Sequence, residues 1–371
     1  MIAGEASGDL HGSNLMNALK MADKSAEFRF WGGDRMKSIA DQLVKHYRDT
    51  AYMGFLEVVK NLPSIFKNLT RCKKDILTYQ PDALILIDYP GFNMRIAKWA
   101  HDQGLKVFYY IAPQVWAWKA QRAHKLKHIV DALYVILPFE KNFFEKYDFQ
   151  VKYVGHPLLD AISDMNIDPN SFRRSYNLND KPILALLPGS RLQEIDMALP
   201  IMLRAVSEIS NYQIIIAGLS AIDTQVYDHH ITTTQVGKVI MDQTHALLDQ
   251  ASLALVSSGT ATLEAALFDV PQIVCYKGNY LSYLLAKKLV KVPYISLVNL
   301  ILDKHLVPEL IQRDFGIPKV KQALNKLLQP DEQRRQKMGY AEIRTLLGTQ
   351  GASKNVAEDI YSHLLNSNIA S

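Results

Sequence analysis

Short, almost unbroken apolar runs alternating with helical patterns constrain this chain more than any other feature. The first are Phe28 to Trp31, Ala83 to Ile87, Val107 to Ile111 and Leu133 to Ile136. Strands with one solvated face would alternate apolar with polar residues, whereas parallel strands covered by helices on both faces are apolar nearly throughout. The rhythm therefore predicts an α/β fold built on a doubly wound parallel sheet. A polar stretch from Ser163 to Lys181, rich in Asn, Asp and Pro turn signals, interrupts it. A second series follows, with Ile183 to Leu187, Gln213 to Ala217, Leu253 to Val256 and Gln272 to Tyr276. From Pro330 onward strand signals vanish and Lys-, Arg-, Gln- and Glu-rich helices remain. We therefore expect one domain over 1–157, a second over 158–348, and a closing helix, 349–371, that completes the first.

A chain of 371 residues with 48% hydrophobic content can fill two such cores. The net charge of +5 suits an anionic substrate or a membrane surface as readily as nucleic acid, so charge alone does not choose. Cys72 and Cys275 lack metal-ligand spacing, which argues against a disulfide scaffold or a zinc site and for a reducing cytoplasm. No apolar run approaches bilayer-spanning length, so any membrane contact is expected to be peripheral.

Four stretches can carry chemistry in the first series. Gly4-Glu5-Ala6-Ser7-Gly8-Asp9 joins an apolar start to the helical pattern of Leu15, Met16, Ala18 and Leu19, yet it lacks both the dinucleotide-binding glycine spacing and the Lys of a phosphate-binding P-loop. Asp88 ends the run Ile85-Leu86-Ile87 just before Tyr89-Pro90-Gly91, where it serves either as a general base or as an ordinary turn cap. Gln114, Trp116 and Trp118 precede a basic segment with Arg122, His124, Lys125, Lys127 and His128, which suits a lipid phosphate better than nucleic acid. Two core tryptophans and a solvated basic face explain the same letters. Between Met53 and Lys67, the residues Phe55, Leu56, Val59, Leu62 and Phe66 share one helical face that Val58 and Ile65 widen, a width suited to a membrane or acyl chains unless it is core. Pro63 breaks or restarts that helix.

Two stretches stand out in the second series. Leu187-Pro188-Gly189-Ser190-Arg191 follows a buried strand, and Arg191 can fork onto a phosphate or pair with Glu194. Ser257-Ser258-Gly259-Thr260-Ala261-Thr262-Leu263-Glu264 again runs from strand through a small-residue turn into a helix. Helix N–H groups there can take a diphosphate, the hydroxyls can add donors, and Glu264 can accept ribose hydroxyls; helix capping explains the same Ser and Thr.

In this order these motifs, together with Met53-Gly54-Phe55-Leu56-Glu57-Val58, Pro113-Gln114-Val115-Trp116, Leu137-Pro138-Phe139-Glu140 and Val154-Gly155-His156-Pro157, closely resemble the lipid A disaccharide synthase family over Met1 to about Gln312. The resemblance implies a GT-B architecture of two Rossmann-like domains with a cleft between them. It also implies inverting transfer of diacylglucosamine from UDP-2,3-diacylglucosamine to 2,3-diacylglucosamine 1-phosphate (lipid X), releasing UDP. It makes Asp88 the base, with Gly91 standing where the family has another carboxylate. It assigns Arg191, Ser257, Ser258, Gly259, Thr260, Thr262 and Glu264 to UDP, Asn299, Glu309 and Gln312 to the donor side, and Glu5 and Ser7 to acceptor or transferred sugar; Gln114 is expected to bind substrate. No metal or other cofactor is implied. The Phe55–Phe66 face becomes a membrane patch, which with the basic segment places the protein on the cytoplasmic face of the inner membrane; a homodimer is compatible and nucleic acid is not a partner. Family members carry more apolar residues before this first loop, so the first central strand is expected to be nearly absent and the Glu5–Ser7 loop loosened. The alternatives are another GT-B UDP-sugar transferase or epimerase, and a non-catalytic UDP-sugar-binding protein at the membrane.

Overall fold

The computed structural model describes residues 1–49, 62–163, 168–279, 283 and 292–369. The chain forms two compact units, Met1–Ala161 joined by Thr349–Ser371, and Ile162–Gly348.

In the first unit, β1 (Ile2–Ala3), β2 (Arg29–Gly32), β3 (Gln42–His46), β4 (Leu84–Ile87), β5 (Val107–Tyr110), β6 (Ala132–Val135) and β7 (Lys152–Tyr153) form one parallel sheet in the order β3-β2-β1-β4-β5-β6-β7. The period-2 geometry of a strand sends Leu84 and Leu86 into one core with Tyr109 and Leu133, and Ile85 and Ile87 into another with Phe108 and Tyr134. Both faces are thus buried, which is why these runs are apolar throughout. The helix Ala352–Ile369 fills the second of these cores with Ala352, Val356, Ala357 and Ile360, packed against Leu15, Met16 and Leu19 of the helix Ala6–Ala22.

As expected, the first central strand is nearly absent: β1 is only two residues long, at the centre of the sheet. Ile2 pairs with Trp31 on one side and Leu86 on the other, and Ala3 pairs with Ile87. The Asn93 amide, wholly buried, braces the junction by donating to the carbonyls of Ile2 (3.3 Å), Ile87 (3.2 Å) and Asp88 (2.8 Å).

The second unit repeats the plan with β8 (Ile183–Leu187), β9 (Gln213–Gly218), β10 (Lys238–Met241), β11 (Ala251–Ser257), β12 (Gln272–Tyr276) and β13 (Glu309–Ile311), in the order β10-β9-β8-β11-β12-β13. Leu184 and Leu186 face one core and Ile183, Ala185 and Leu187 the other. In each unit the strand order reverses once, between β1 and β4 and between β8 and β11. Ligands of open α/β sheets gather beyond the carboxyl ends of the strands at such a switch point. Among the described residues no helix is long and apolar enough to cross a membrane.

Candidate active site

The first switch point is acidic. Glu5 follows β1 and stands at the start of the helix Ala6–Ala22, with Ser7 exposed in its first turn. A side chain at Gly4 would drive its Cβ to 2.3 Å from the Tyr89 ring, so glycine is required for the β1 and β4 loops to approach each other. Asp9 of the same loop is no ligand: its carboxylate accepts the N–H groups of Gly33 (2.6 Å), Arg35 (3.0 Å) and Met36 (3.1 Å), capping the short helix Asp34–Lys37.

Asp88 ends β4. It and Tyr89 adopt consecutive left-handed conformations, with φ of 43° and 49°, each costing about 1–3 kcal/mol for a non-glycine residue. The surroundings over-determine this turn. The Asp88 N–H donates to the Tyr110 carbonyl (3.0 Å), the Asp88 carbonyl accepts Tyr109 Oη (2.7 Å), and Pro90 starts the next helix with its φ already set. The carboxyl is half-buried, and burial pushes it up to about 7; the facing charge of Glu5 adds to the rise, and an N–H bond from Tyr89 opposes it.

Beyond β5 and β6 the edge continues. Gln114 is exposed at the start of the single-turn helix Val115–Trp118, and Trp116 is buried, as the core reading has it for that residue; the Trp118 side chain lies outside the description. Glu140 is only 1% exposed, and its carboxylate accepts Trp116 Nε1 (3.0 Å) and the N–H groups of Ile136 (3.1 Å) and Leu137 (2.9 Å). Burial raises it to about 7 despite those bonds, with Asp88 contributing a smaller push. Burial holds His11 and His156 neutral, down at about 4 and about 3. Sequence reasoning gave Glu140, His11 and His156 no role; the signal for Glu140 was an acid at the third position of a helix with an apolar start. The basic segment presents His124, Lys125 and His128 to solvent while Ala123 and Leu126 are buried.

The second switch point carries hydroxyls and N–H groups instead. Gly189 has a φ of 125°, and a Cβ there would meet the Glu194 side chain at 2.6 Å. Arg191 precedes the helix Leu192–Val206; its guanidinium reaches Glu194 at 3.3 Å with the side chain 56% exposed, a contact too solvated to hold it strongly. Ser257 Oγ donates to the Pro188 carbonyl (2.7 Å), which joins the β8 and β11 loops. Ser258 Oγ donates to the Ile295 carbonyl (3.0 Å), and Thr262 Oγ1 donates to that of Gly259 (2.8 Å). The extra hydroxyl donors expected of these three residues are therefore already spent within the protein. What remains is the start of the helix Thr260–Leu267, approached through Gly259 at φ 151°, where the Thr260 and Ala261 N–H groups have no partner inside the helix and that of Thr262 donates to the Gly259 carbonyl (3.1 Å). Thr260 is exposed there, and Glu264 lies one turn in, 3.5 Å from His245 Nε2.

Asn299 and Glu309 shape this edge from behind. Asn299 is fully buried, donating to the Val307 carbonyl and to Glu309 (both 2.9 Å) and accepting the N–H groups of Leu306 (2.8 Å) and Val307 (2.9 Å). Glu309 also accepts Ser296 Oγ (2.7 Å) and the N–H groups of Ile295 and Ser296 (both 3.0 Å). Gln312, buried with φ 53°, donates to the Gly278 carbonyl (3.2 Å). The Asn299 amide thus uses both its hydrogens and its oxygen to brace the loop that lines the donor side.

Phe55, Leu56, Val58 and Val59 lie outside the described residues, as does the Leu62 side chain. The helix Leu62–Tyr79 starts beside Pro63, so the proline begins it. Ile65, expected on the apolar face, packs against the first core instead, while Phe66 is 60% exposed.

A sequence model of the family described as Lipid-A-disaccharide synthetase matches residues 1–361. The Lipid-A-disaccharide synthase of Acidobacterium capsulatum is 36% identical over 368 residues, spanning 95% of this chain and 92% of its own. Among solved structures, the complex of S. aureus MnaA with UDP superposes with a TM-score of 0.69 at 13% identity, covering 98% of this chain and 95% of that one. The UDP-GlcNAc 2-epimerase of Neisseria meningitidis bound to UDP-GlcNAc gives 0.65 at 11%, with 98% of both chains covered. At such identities the structural likeness speaks for the fold alone.

Proposed function

The chain belongs to the lipid-A-disaccharide synthetase family and is a glycosyltransferase of lipid A biosynthesis, and we propose that its two switch points divide the work, the acidic one taking the acceptor and the hydroxyl-lined one the UDP-sugar. The donor is UDP-2,3-diacylglucosamine and the acceptor is 2,3-diacylglucosamine 1-phosphate. Asp88 removes the proton of the acceptor's primary hydroxyl as that oxygen bonds to the anomeric carbon. The bond from that carbon to the diphosphate breaks on the opposite face, inverting the centre and releasing UDP. The proton stays on the Asp88 carboxyl until solvent takes it.

The observation that carries this reading is the Asp88 carboxyl, held at the end of β4 by a strained turn and pushed to about 7. A general base works best when its affinity for protons lies near the working pH. Glu5, Ser7 and Gln114 share that edge and contact acceptor or transferred sugar. On the donor side Arg191 forks onto the diphosphate, the N–H groups of Gly259 and Thr260 receive it, and Glu264 accepts the ribose hydroxyls. Charge neutralisation by these groups calls for no metal. Phe66, the apolar segment before it and the basic segment 122–128 bring the protein to the cytoplasmic face of the inner membrane, where both lipid substrates reside.

Incubation with both substrates, read by mass spectrometry, is expected to give the disaccharide 1-phosphate. Asp88→Ala is expected to lose turnover while UDP binding, measured by calorimetry, is kept. Full turnover in that variant excludes Asp88 as base, and no product from the parent enzyme excludes this substrate pair.

A further inference from the structure

The helix Pro138–Glu145 begins directly after β6, and one oxygen of Glu140 turns back to accept the N–H groups of Ile136 and Leu137. A glutamate at this position commonly satisfies a helix start in that way. The other oxygen needs a different account. It accepts Trp116 Nε1 at 3.0 Å, which ties Glu140 to the turn after β5 that carries Gln114. Phe139 meets the Trp116 ring edge-on, with centroids 4.9 Å apart, and closes the same contact. A wholly buried carboxylate is costly unless its hydrogen bonds repay it, and a polar uncharged cap would serve a helix start at less cost. The tethered element is a single turn, Val115–Trp118, whose start has no side-chain cap. So short a helix has little stability of its own and must be held by its neighbours.

We propose that Glu140 is a positioning residue for glycosyl transfer: through Trp116 it clamps the 113–118 turn and so fixes Gln114 on the acceptor edge that holds Asp88. Strand order supports the placement, because β4, β5 and β6 are consecutive neighbours and their loops carry Asp88, Gln114 and Glu140 in a row. The proposal rests on the assignment of this edge to the acceptor.

Steady-state kinetics at saturating donor, with the acceptor varied, test it in Gln114→Ala, Trp116→Phe, Glu140→Gln, the Trp116→Phe/Glu140→Gln double variant and Asp88→Asn. Gln114→Ala, Trp116→Phe and Glu140→Gln are each expected to raise the acceptor KM about tenfold with kcat within about threefold, since misplacing a binding group weakens orientation rather than chemistry. The double variant is expected to be no more than about twofold worse than either single one, the signature of two residues acting through one contact. UDP affinity is expected to stay unchanged throughout. Multiplying effects, an unaffected Gln114→Ala, or a fall in kcat at constant KM, as loss of folded enzyme would give, overturns the clamp. Trp116→Phe keeps Glu140 and its helix-start bonds, so it reports even where Glu140→Gln does not fold. Retained turnover in Asp88→Asn overturns the acceptor-edge assignment instead, whereas an inactive Asp88→Asn beside wild-type KM values in the other variants overturns the clamp alone.

Discussion

The two switch points of this molecule are built on the same strand order and carry opposite chemistry. At the end of β1 and β4 stand carboxylic acids, with Asp88 and, further along, Glu140 pushed to about 7. At the end of β8 and β11 stand an exposed guanidinium, a glycine turn and the start of a helix. Burial works differently at each. In the first unit it withdraws solvent from acids and makes them proton acceptors near neutrality. In the second it consumes the hydroxyls of Ser257, Ser258 and Thr262 in bonds to carbonyls and leaves backbone N–H groups to face a ligand. The shared topology provides two places to bind; the residues at the strand ends decide what each place does.

The sharpest way to break this contrast is Asp88→Asn. Removing a general base is expected to lower kcat about a thousandfold, within the usual 10²–10⁴ range, while UDP affinity by calorimetry stays within twofold. Turnover near the parental rate would erase the chemical difference between the two edges.

Arg191→Ala is the counterpart on the other side. Losing charge-assisted bonds worth about 1.5–3 kcal/mol should weaken UDP binding roughly 10- to 100-fold. Arg191→Lys should restore only part of it, because a point charge cannot fork onto a diphosphate. Complete rescue by lysine would reduce Arg191 to simple charge.

The pH dependence separates the edges again. Below about 7, kcat/KM is expected to fall about tenfold per unit as Asp88 takes up its proton, while UDP binding changes little over the same range. Stability follows with a definite sign. A carboxyl raised in the folded state favours folding at pH below its unfolded value and loses that contribution as pH rises through about 7. Asp88→Asn should therefore melt a few degrees higher than the parent at pH 8 and about equally at pH 4. Equal melting at both values would mean that the fold does not disfavour the Asp88 charge.

The smallest effect concerns the first unit alone. Phe66→Ser, at a side chain that packs little within the protein, should reduce co-sedimentation with anionic vesicles about twofold to threefold and leave the melting temperature unchanged. Undiminished sedimentation would remove Phe66 from any membrane contact.

The acidic edge was partly legible beforehand. An aspartate closing an apolar run before Tyr-Pro-Gly reads as the end of a buried strand, and the Gly-rich opening reads as a strand-to-helix turn. The clamp from Glu140 to Trp116 was not legible, because nothing in Leu-Pro-Phe-Glu shows which distant donor that acid will meet. At the hydroxyl edge the composition of a phosphate loop was legible in Ser257, Ser258 and Thr262, but not that their hydroxyl hydrogens meet neighbouring carbonyls. Ile65 misled, since a helical stripe records which residues share a face and not what covers it.

By itself the sequence determined the doubly wound α/β plan, the positions of the strand ends and the kinds of side chain placed there. Those follow from local periodicity, from strands buried on both faces and from turn chemistry spanning a few residues. The tertiary structure alone decided that β1 pairs with both β2 and β4 at the centre of its sheet, that Asp88 holds its proton to about 7, and that Asn299 and Glu309 brace a loop. Desolvation and hydrogen-bond satisfaction depend on which distant residues meet, and that is settled only when the sheets and helices close around them.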